Sequence, residues 1–233
     1  MKIITCVRVR DEERNLARFC RDYAWADAIL IADGGSIDSS KAIANTFPNT
    51  LVRDFEEKVY GDNGIWRNPE CRHINFLLDW ARELDADWII FDDCDSFPTV
   101  DLQKVARKKF EEATEMGKST ILAHHIYLYG KDQWFPALTK EVGFMWSWKA
   151  NNPIRARDEE EWGIIFEHLP IPEDCYSLDC PYSLLHDFCP SPEIIEKKLK
   201  FYRENGRMSP TPHPLEMGGR LASLESWMTD IPE

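Results

Sequence analysis

The chain has 233 residues, of which 43% are hydrophobic and 12% aromatic, so it can bury the core of one large α/β domain. Its formal charge is −13, from 28 basic and 41 acidic residues, and this argues against tight, non-specific binding to nucleic acid, although a local basic groove stays open. We expect no targeting signal and no transmembrane segment, because no apolar run approaches the roughly 20 residues of a membrane span.

The first half of the chain alternates between apolar runs and stretches of helical periodicity. The pattern predicts strands at 3–9, 28–32, 50–55 and 88–91, and helices at 12–24, 39–46, 69–84 and 101–116. Repeated β-α units of this kind are typical of a parallel, doubly wound sheet with helices on both faces. Since the run at 88–91 is apolar without alternation, we expect it to be a central strand that is buried on both sides.

The second half of the chain has a different pattern. Strands of mixed direction are expected at 120–129, 143–149 and 183–186, an acidic, Pro-punctuated stretch at 150–175, and a helix at 192–205. We therefore expect a first half up to residue 118, a second half of the same domain over 119–206, and an extension rich in Pro and Gly over 207–233.

Seven cysteines are scattered along the chain without a Cys-x-x-Cys pair. This usage is typical of a reduced protein, and we expect a cytoplasmic location. A zinc site of Cys175, Cys180, His186 and Cys189 is an alternative, but its spacing lacks the tight pair that zinc knuckles contain.

An acidic cluster follows the predicted central strand directly. Asp93 and Asp95 are spaced i, i+2, so their carboxylates can converge on one hard cation such as Mn²⁺ or Mg²⁺. In open α/β sheets, ligands bind just beyond the carboxyl ends of the strands, which is where these residues fall. The alternative is a helix cap followed by solvated acids, because a cap needs only one such side chain.

A glycine turn, 33–38, follows the second predicted strand with the sequence Asp-Gly-Gly-Ser-Ile-Asp. Its glycines would let the backbone approach a ligand closely, and Asp33 could accept hydrogen bonds from a base or a ribose. The turn lacks the Gly-x-Gly-x-x-Gly pattern, which disfavours a dinucleotide fold. An ordinary turn with an Asp or Ser cap stays open as the alternative.

Three arginines, Arg8, Arg10 and Arg72, are expected near the ends of these strands. Each alone is more often a surface charge. Together, their guanidinium groups could hold a diphosphate.

Four segments, taken together, resemble glycosyltransferase family 2, which has the GT-A fold. They lie at 7–16, 31–38, 72 and 88–96. The family pattern is a strand ending in an Asn-Glu-Glu-like turn, a strand ending in Asp-Gly-Gly-Ser-x-Asp, an Arg, and a strand ending in Asp-x-Asp. The clear resemblance covers about residues 3–110, and a weaker one reaches His186 and the following helix.

This resemblance implies a role for each matching residue. Asp33 would contact the nucleotide base, and Asp93 would lie near the ribose and the metal. Asp95 would bind Mn²⁺ or Mg²⁺ directly, and His186 would complete the metal-diphosphate site. The further residues expected to bind the nucleotide sugar are Val9, Arg10, Glu13, Arg72 and Arg155.

The chain also departs from the family pattern. Arg8 and Arg10 stand where many members have a small residue and a Tyr, and Asp11 replaces the usual Asn, so the identity of the base stays open. The expected catalytic base is Glu167, with His168 nearby.

The resemblance implies an inverting glycosyltransferase that uses a nucleoside-diphosphate sugar. Residues 1–118 would then bind the nucleotide sugar and residues 119–206 would face the acceptor, which could be a glycan, a lipid-linked glycan, a protein or another molecule. One alternative is a nucleotide-sugar-binding protein without catalysis. Another is a metal-dependent phosphatase of the haloacid dehalogenase type, which also has Asp-x-Asp after a strand but carries its Gly-Asp motif downstream, whereas Gly61-Asp62 lies upstream here.

Overall fold

A central sheet with parallel strands in its first half organises the molecule. The computed structural model describes residues 1–55, 59–60, 66–67, 70–129, 133–134, 144–151, 155, 175–178, 183–189 and 222–223. The elements of the first half are β1 (Ile3–Val9), α1 (Leu16–Asp22), β2 (Ala28–Asp33), α2 (Ser40–Ala44), β3 (Thr50–Asp54), β4 (Val59–Tyr60), β5 (Trp66–Arg67), α3 (Glu70–Glu83), β6 (Trp88–Phe91), β7 (Ser96–Pro98) and α4 (Val100–Glu115). Those of the second half are β8 (Thr120–Tyr129), β9 (Gln133–Trp134), β10 (Phe144–Lys149), β11 (Cys175–Ser177), β12 (Ser183–Cys189) and β13 (Ala222–Ser223).

The strand order explains how one edge of the sheet collects polar residues. β1 pairs in parallel with both β2 and β6, and β2 pairs in parallel with β3. The carboxyl ends of these four strands therefore lie at the same edge. β10 runs antiparallel to β6 and to β8, so the second half of the chain continues the sheet in mixed direction.

Helices cover both faces of the sheet. The side chains of a strand therefore point alternately into two hydrophobic clusters, one on each face. In β6, Trp88 and Ile90 belong to one cluster, and Ile89 and Phe91 belong to the other. Residues of α1, α2 and α4 complete the first cluster, and residues of α3 complete the second. Burial on both sides is the reason for the unbroken apolar run of β6, at about 1.5–3 kcal/mol of stabilisation for each large side chain. The expected doubly wound α/β fold with helices on both faces is thus confirmed.

The second half of the chain returns to the acidic cluster through β12. This strand pairs in parallel with β8 and antiparallel with the three-residue strand β7. The backbone N–H of Thr99 also donates to the carbonyl of Ser183 at 2.8 Å. The strand predicted at 183–186 extends to residue 189, and β7 was not predicted.

The first helix also differs from its predicted span of 12–24. It begins only at Leu16, because residues 12–15 form a tighter turn, in which the N–H of Asn15 donates to the carbonyl of Glu12 at 3.0 Å. This turn is tied to the next loop: the N–H of Glu12 donates to Ser40 Oγ at 2.8 Å, and that of Glu13 donates to Asp38 Oδ2 at 2.9 Å.

Some predicted segments fall beyond what the structure describes. The helix at 192–205 lies outside the described residues, as does most of the stretch at 150–175. Within the extension at 207–233, only β13 is described, and it pairs antiparallel with β9. The division at residues 118 and 206 stays a prediction. Over the described ranges, no helix is both long and apolar enough to cross a membrane.

Candidate functional site

Two loops at the carboxyl ends of β1 and β2 hold each other in place. The N–H of Asp11 donates to Ser36 Oγ at 3.0 Å, and Asp11 Oδ1 accepts from the N–H of Ile37 at 2.8 Å. Asp38 also joins the two loops, because it accepts a hydrogen bond from the N–H of Glu13. Burial alone would raise the pKa of Asp38, but its hydrogen bonds with Ser40 and Glu13 hold that pKa below the usual value. The loops therefore form one connected polar framework.

The backbone of this framework uses left-handed conformations at two positions. Asp11 has φ 55° and Gly35 has φ 87°. A short polar side chain is among the few that tolerate this region, and the hydrogen bonds of Asp11 to the second loop stabilise it there. An Asn at this position would tolerate the same left-handed conformation.

Asp33 is buried at the end of β2, with 1% of its surface exposed. Its Oδ1 accepts from the N–H groups of Gly35 and Ser36, both at 2.9 Å, and lies 3.4 Å from Lys41 Nζ. Lys41 also contacts Asp54 Oδ1 at 2.7 Å. Among the residues that the structure describes, the second oxygen of Asp33, Oδ2, is buried without a hydrogen-bond partner. A buried acceptor left unsatisfied is costly, and the described residues supply no donor for this oxygen.

Asp93 lies just beyond β6 and pairs with an arginine from the neighbouring strand. Arg8 Nη2 is 3.2 Å from Asp93 Oδ1, and the two side chains are 18% and 41% exposed. The Arg8 guanidinium also lies 5.8 Å from the centre of the Phe91 ring. Asp95, two residues further along, is partly buried. Parallel pairing of β1 with β6 therefore brings the arginine to the acidic cluster.

Asp92, the first acid of the cluster, is buried rather than exposed. Tyr23 donates its hydroxyl to Asp92 Oδ2 at 2.5 Å, and the N–H of Asp93 donates to Asp92 Oδ1 at 2.9 Å. Burial raises the pKa of Asp92 to about 7, against the lowering effect of its hydrogen bonds with Tyr23 and Ser96. This residue was missed by the sequence analysis. The sequence did contain a signal for it. Side chains point alternately to the two faces of β6, and continuing this alternation by one residue places Asp92 on the face covered by α1.

Cys94 lies between the two predicted metal-binding acids and is also buried. Burial raises the pKa of its thiol well above the usual value. Because the Cys94 side chain is buried whereas Asp93 and Asp95 are partly exposed, the accessible ligand atoms of the cluster are carboxylate oxygens. The zinc alternative is left untested, since Cys180 lies outside the described residues.

His186 is brought next to the acidic cluster by strand pairing. Its position in β12 is directly opposite Ser96 in β7, and Ser96 follows Asp95 in the chain. Two segments about ninety residues apart therefore meet where the sequence analysis expected a metal site.

The remaining predicted residues lie in several places. Val9 is buried at the end of β1, opposite Asp33 in the register. Arg10 and Glu13 are exposed in the loop after β1, and Arg72 is exposed in the first turn of α3. The other three predicted residues are Arg155, Glu167 and His168.

Arg155 makes its described contact away from the acidic cluster. Its Nη2 lies 2.6 Å from Asp79 Oδ1 on α3, and the hydrogen bond with Asp79 raises the pKa of Arg155. Glu167 and His168, the expected catalytic base and its neighbour, lie outside the described residues.

The residue types at this edge fit a divalent cation. Asp93 and Asp95 supply hard oxygen ligands, which Mg²⁺ and Mn²⁺ prefer, and both carboxylates are partly accessible. Among the described side chains, no group of three or more His, Cys, Asp or Glu is placed to hold a metal. The described side chains therefore do not by themselves complete a metal site.

The molecule has the GT-A fold, as similar solved structures show. S. aureus TarS matches with a TM-score of 0.58 and 14% identity, over 86% of this chain and 39% of that chain. S. aureus TarS 1-349 matches with a TM-score of 0.58 and 15% identity, over 91% of this chain and 67% of that chain. The same fragment in complex with UDP gives a TM-score of 0.58 and 13% identity, again over 91% and 67%.

These likenesses establish the fold. The chain spans about two fifths of the length of TarS, and the identities are low. No protein-family model matches the chain, and no curated protein matches it.

Proposed function

We propose that the protein is a metal-dependent, inverting glycosyltransferase that moves a sugar from a nucleoside-diphosphate sugar to an acceptor hydroxyl. One observation carries this proposal: the backbone position of His186 lies opposite Ser96, beside the acids that follow β6. Ligands of such sheets bind at this carboxyl edge, and the resemblance to glycosyltransferase family 2 implies a metal-diphosphate held there by an acidic pair and a distant histidine. The GT-A fold supports the transferase over the haloacid dehalogenase alternative.

The nucleotide base would bind at Asp33. Its buried Oδ2 is ready to accept a hydrogen bond, and Lys41 adds positive charge beside Oδ1. Uracil is the base to test first, because its ring N–H is a donor and because TarS 1-349 was solved in complex with UDP. Val9 and Glu13 lie on the same edge and would border the nucleotide.

The diphosphate would bind where positive charge and the acidic cluster meet. Asp95 and His186, together with Asp93, would hold Mn²⁺ or Mg²⁺. When bound, such a cation neutralises the negative charge that develops on the leaving diphosphate. Arg10 and Arg72 would add further positive charge at this edge. We assign Arg155 a place at the border of the donor site, to be tested against its contact with Asp79.

The acceptor hydroxyl needs a base, and we propose Glu167, with His168 beside it. Its carboxylate would take the hydroxyl proton as the acceptor oxygen forms a bond to the anomeric carbon. The bond from that carbon to the diphosphate oxygen breaks with its electron pair leaving on the nucleotide. Attack from the face opposite the leaving group inverts the configuration. The acceptor would be a glycan, a lipid-linked glycan, a protein or another hydroxyl-bearing molecule.

The proposal is tested by turnover of nucleotide sugars. The protein is first heated with UDP, GDP, CDP and ADP in the presence of Mn²⁺, since a ligand that binds the native state raises the melting temperature. It is then incubated with sugars activated by the stabilising nucleotide, and release of free nucleoside diphosphate is measured. A binding protein without catalysis would be stabilised but release nothing, and a phosphatase would release inorganic phosphate.

Asp95→Ala provides the decisive variant. We expect nucleotide release to fall on the order of 1,000-fold with the fold intact, because a ligand of the charge-stabilising cation is lost. Asp101→Ala is the matched control, since Asp101 is an exposed acid in the first turn of α4 that pairs with Lys104 at 3.0 Å. Full activity of Asp95→Ala in the presence of a chelator would end the metal-dependent proposal.

A further inference from the structure

Arg8 contacts the carboxylate of Asp93, which the proposed function assigns to the metal ion as a ligand. Its guanidinium contacts Asp93 Oδ1 at 3.2 Å and lies near the ring of Phe91. Only 18% of its side chain is exposed, so solvent screens the pair less than it would screen a surface pair.

A divalent cation and this guanidinium compete for the same carboxylate. A metal bound to Asp93 would stand within a few ångströms of a fixed positive charge, which cannot be removed by deprotonation in proteins. Each cation therefore disfavours the other at Asp93. A diphosphate relieves this conflict, because its oxygens offer the guanidinium a second anionic partner with matching geometry.

We infer that Arg8 is a positioning residue that acts as an internal counter-cation for Asp93: it restrains metal binding in the nucleotide-free protein and transfers to the diphosphate when the donor enters. This inference rests on the proposed function. Its consequence is a coupling between the two ligands. The nucleotide removes the competitor from Asp93, so it strengthens metal binding more when Arg8 is present than when it is absent.

The test measures Mn²⁺ binding directly, by electron paramagnetic resonance of the free ion, with and without UDP. The variants are Arg8→Gln, Asp93→Asn and the double variant. Without UDP, we expect Arg8→Gln to bind Mn²⁺ about tenfold more tightly than the unaltered protein. In the Asp93→Asn background the same change should have no effect, because the carboxylate through which Arg8 acts is gone. With UDP, the advantage of Arg8→Gln should disappear.

The matched control is Arg53→Gln. Arg53 makes the same two kinds of contact, with Nη1 3.1 Å from Glu83 Oε2 and its guanidinium 4.2 Å from the centre of the Trp80 ring, but it is 46% exposed and lies on β3. The Arg53→Gln substitution removes one positive charge, as Arg8→Gln does, but leaves the acidic cluster unchanged. We therefore expect the Mn²⁺ affinity of this variant to equal that of the unaltered protein. Arg8→Lys keeps the charge and should bind Mn²⁺ as weakly as the unaltered protein, which tests the inference even if Arg8→Gln folds poorly.

The outcomes separate this inference from the proposed function. Mn²⁺ binding that depends on Asp95 but is unaffected by Arg8→Gln would overturn the role of Arg8 alone. Equal tightening by Arg53→Gln would also overturn it, because a general effect of net charge would then explain the result. If no variant binds Mn²⁺, with or without UDP, both the inference and the metal-dependent function fail.

Discussion

Tyr23 and Asp92 form a buried hydrogen bond that joins the end of α1 to the acidic cluster. The distance from Tyr23 Oη to Asp92 Oδ2 is 2.5 Å, and Asp92 also accepts from the N–H of Asp93. The first acid of the cluster is thus an anchor that fixes the backbone from which Asp93 and Asp95 project. Because burial raises the pKa of Asp92 to about 7, this anchor carries a pH dependence.

Replacing Asp92 with Asn should make stability less sensitive to pH. The folded protein holds the Asp92 proton up to about pH 7, whereas the usual carboxyl pKa is 3.8, so this group makes stability fall as pH rises between these values. Asp92→Asn cannot ionise, and we expect it to gain about 2–4 kcal/mol relative to the unaltered protein on going from pH 4 to pH 8. Urea unfolding at both pH values measures the difference. Asp101→Asn, at an exposed site, should show no such gain, and parallel pH curves for Asp92→Asn and the unaltered protein would contradict the prediction.

Replacing Asp33 with Asn should weaken nucleotide binding without loosening the loop. An amide oxygen can still accept from the N–H groups of Gly35 and Ser36, but the amide nitrogen would stand where Oδ2 is expected to meet the base. Two donors would then face each other, and we expect the Kd for UDP to rise about 10- to 100-fold. Calorimetry measures this change. Asp54→Asn is the control, since Asp54 also contacts Lys41 but is exposed; equal weakening by Asp54→Asn would point to Lys41 instead of the base.

Replacing His186 with Gln should raise the Mn²⁺ concentration needed for activity. The position lies opposite Ser96, beside the proposed ligand Asp95, and loss of a ligand or its support typically costs about 10- to 100-fold in metal affinity. Activity is measured against Mn²⁺ concentration at saturating donor. His124→Gln is the control, because His124 lies on the adjacent strand β8 opposite Ser183. Identical Mn²⁺ curves for His186→Gln and the control would remove His186 from the site.

Three substitutions of Asp11 should separate backbone strain from hydrogen bonding. Asn keeps the oxygen that accepts from the N–H of Ile37, and it also tolerates the left-handed backbone conformation. Asp11→Asn should therefore change the free energy of unfolding by less than about 0.5 kcal/mol. Asp11→Gly loses only side-chain hydrogen bonding, that is, the bonds that Oδ1 accepts from the N–H groups of Ile37 and Asp38, at about 1 kcal/mol. Asp11→Ala loses the same bonds and adds about 1–2 kcal/mol of strain. Urea unfolding ranks them, and equal stability of the Ala and Gly variants would show that the strain is absent.

The parts of the fold that the sequence predicted are those with a local signal. β1 and β6 have the predicted bounds because burial on both faces leaves an unbroken apolar run between polar ends. α1 starts later than its periodicity indicated, because residues 12–15 form a turn that is hydrogen-bonded to Asp38 and Ser40 of another loop. Local propensity contains no information about such a partner.

The positions of the strand ends were predictable, but the contacts around them were not. The ends of β2 and β6 indicated where Asp33 and Asp93 would lie, because parallel strands share one edge. β7 could not be predicted, since three residues have too little periodicity and their partner β12 lies far along the chain. The pairing of Arg8 with Asp93 likewise depends on the register of β1 against β6.

The antiparallel pairing of β7 with β12 has a consequence for biosynthesis. A ribosome delivers the acidic cluster early, and the first parallel strands can associate while the remainder is still being made. The histidine position opposite Ser96 arrives only after residue 186 has been translated and has left the exit tunnel. A nascent chain would therefore carry the carboxylates for some time before the proposed ligand set is complete, and metal binding that depends on this set would begin late in synthesis.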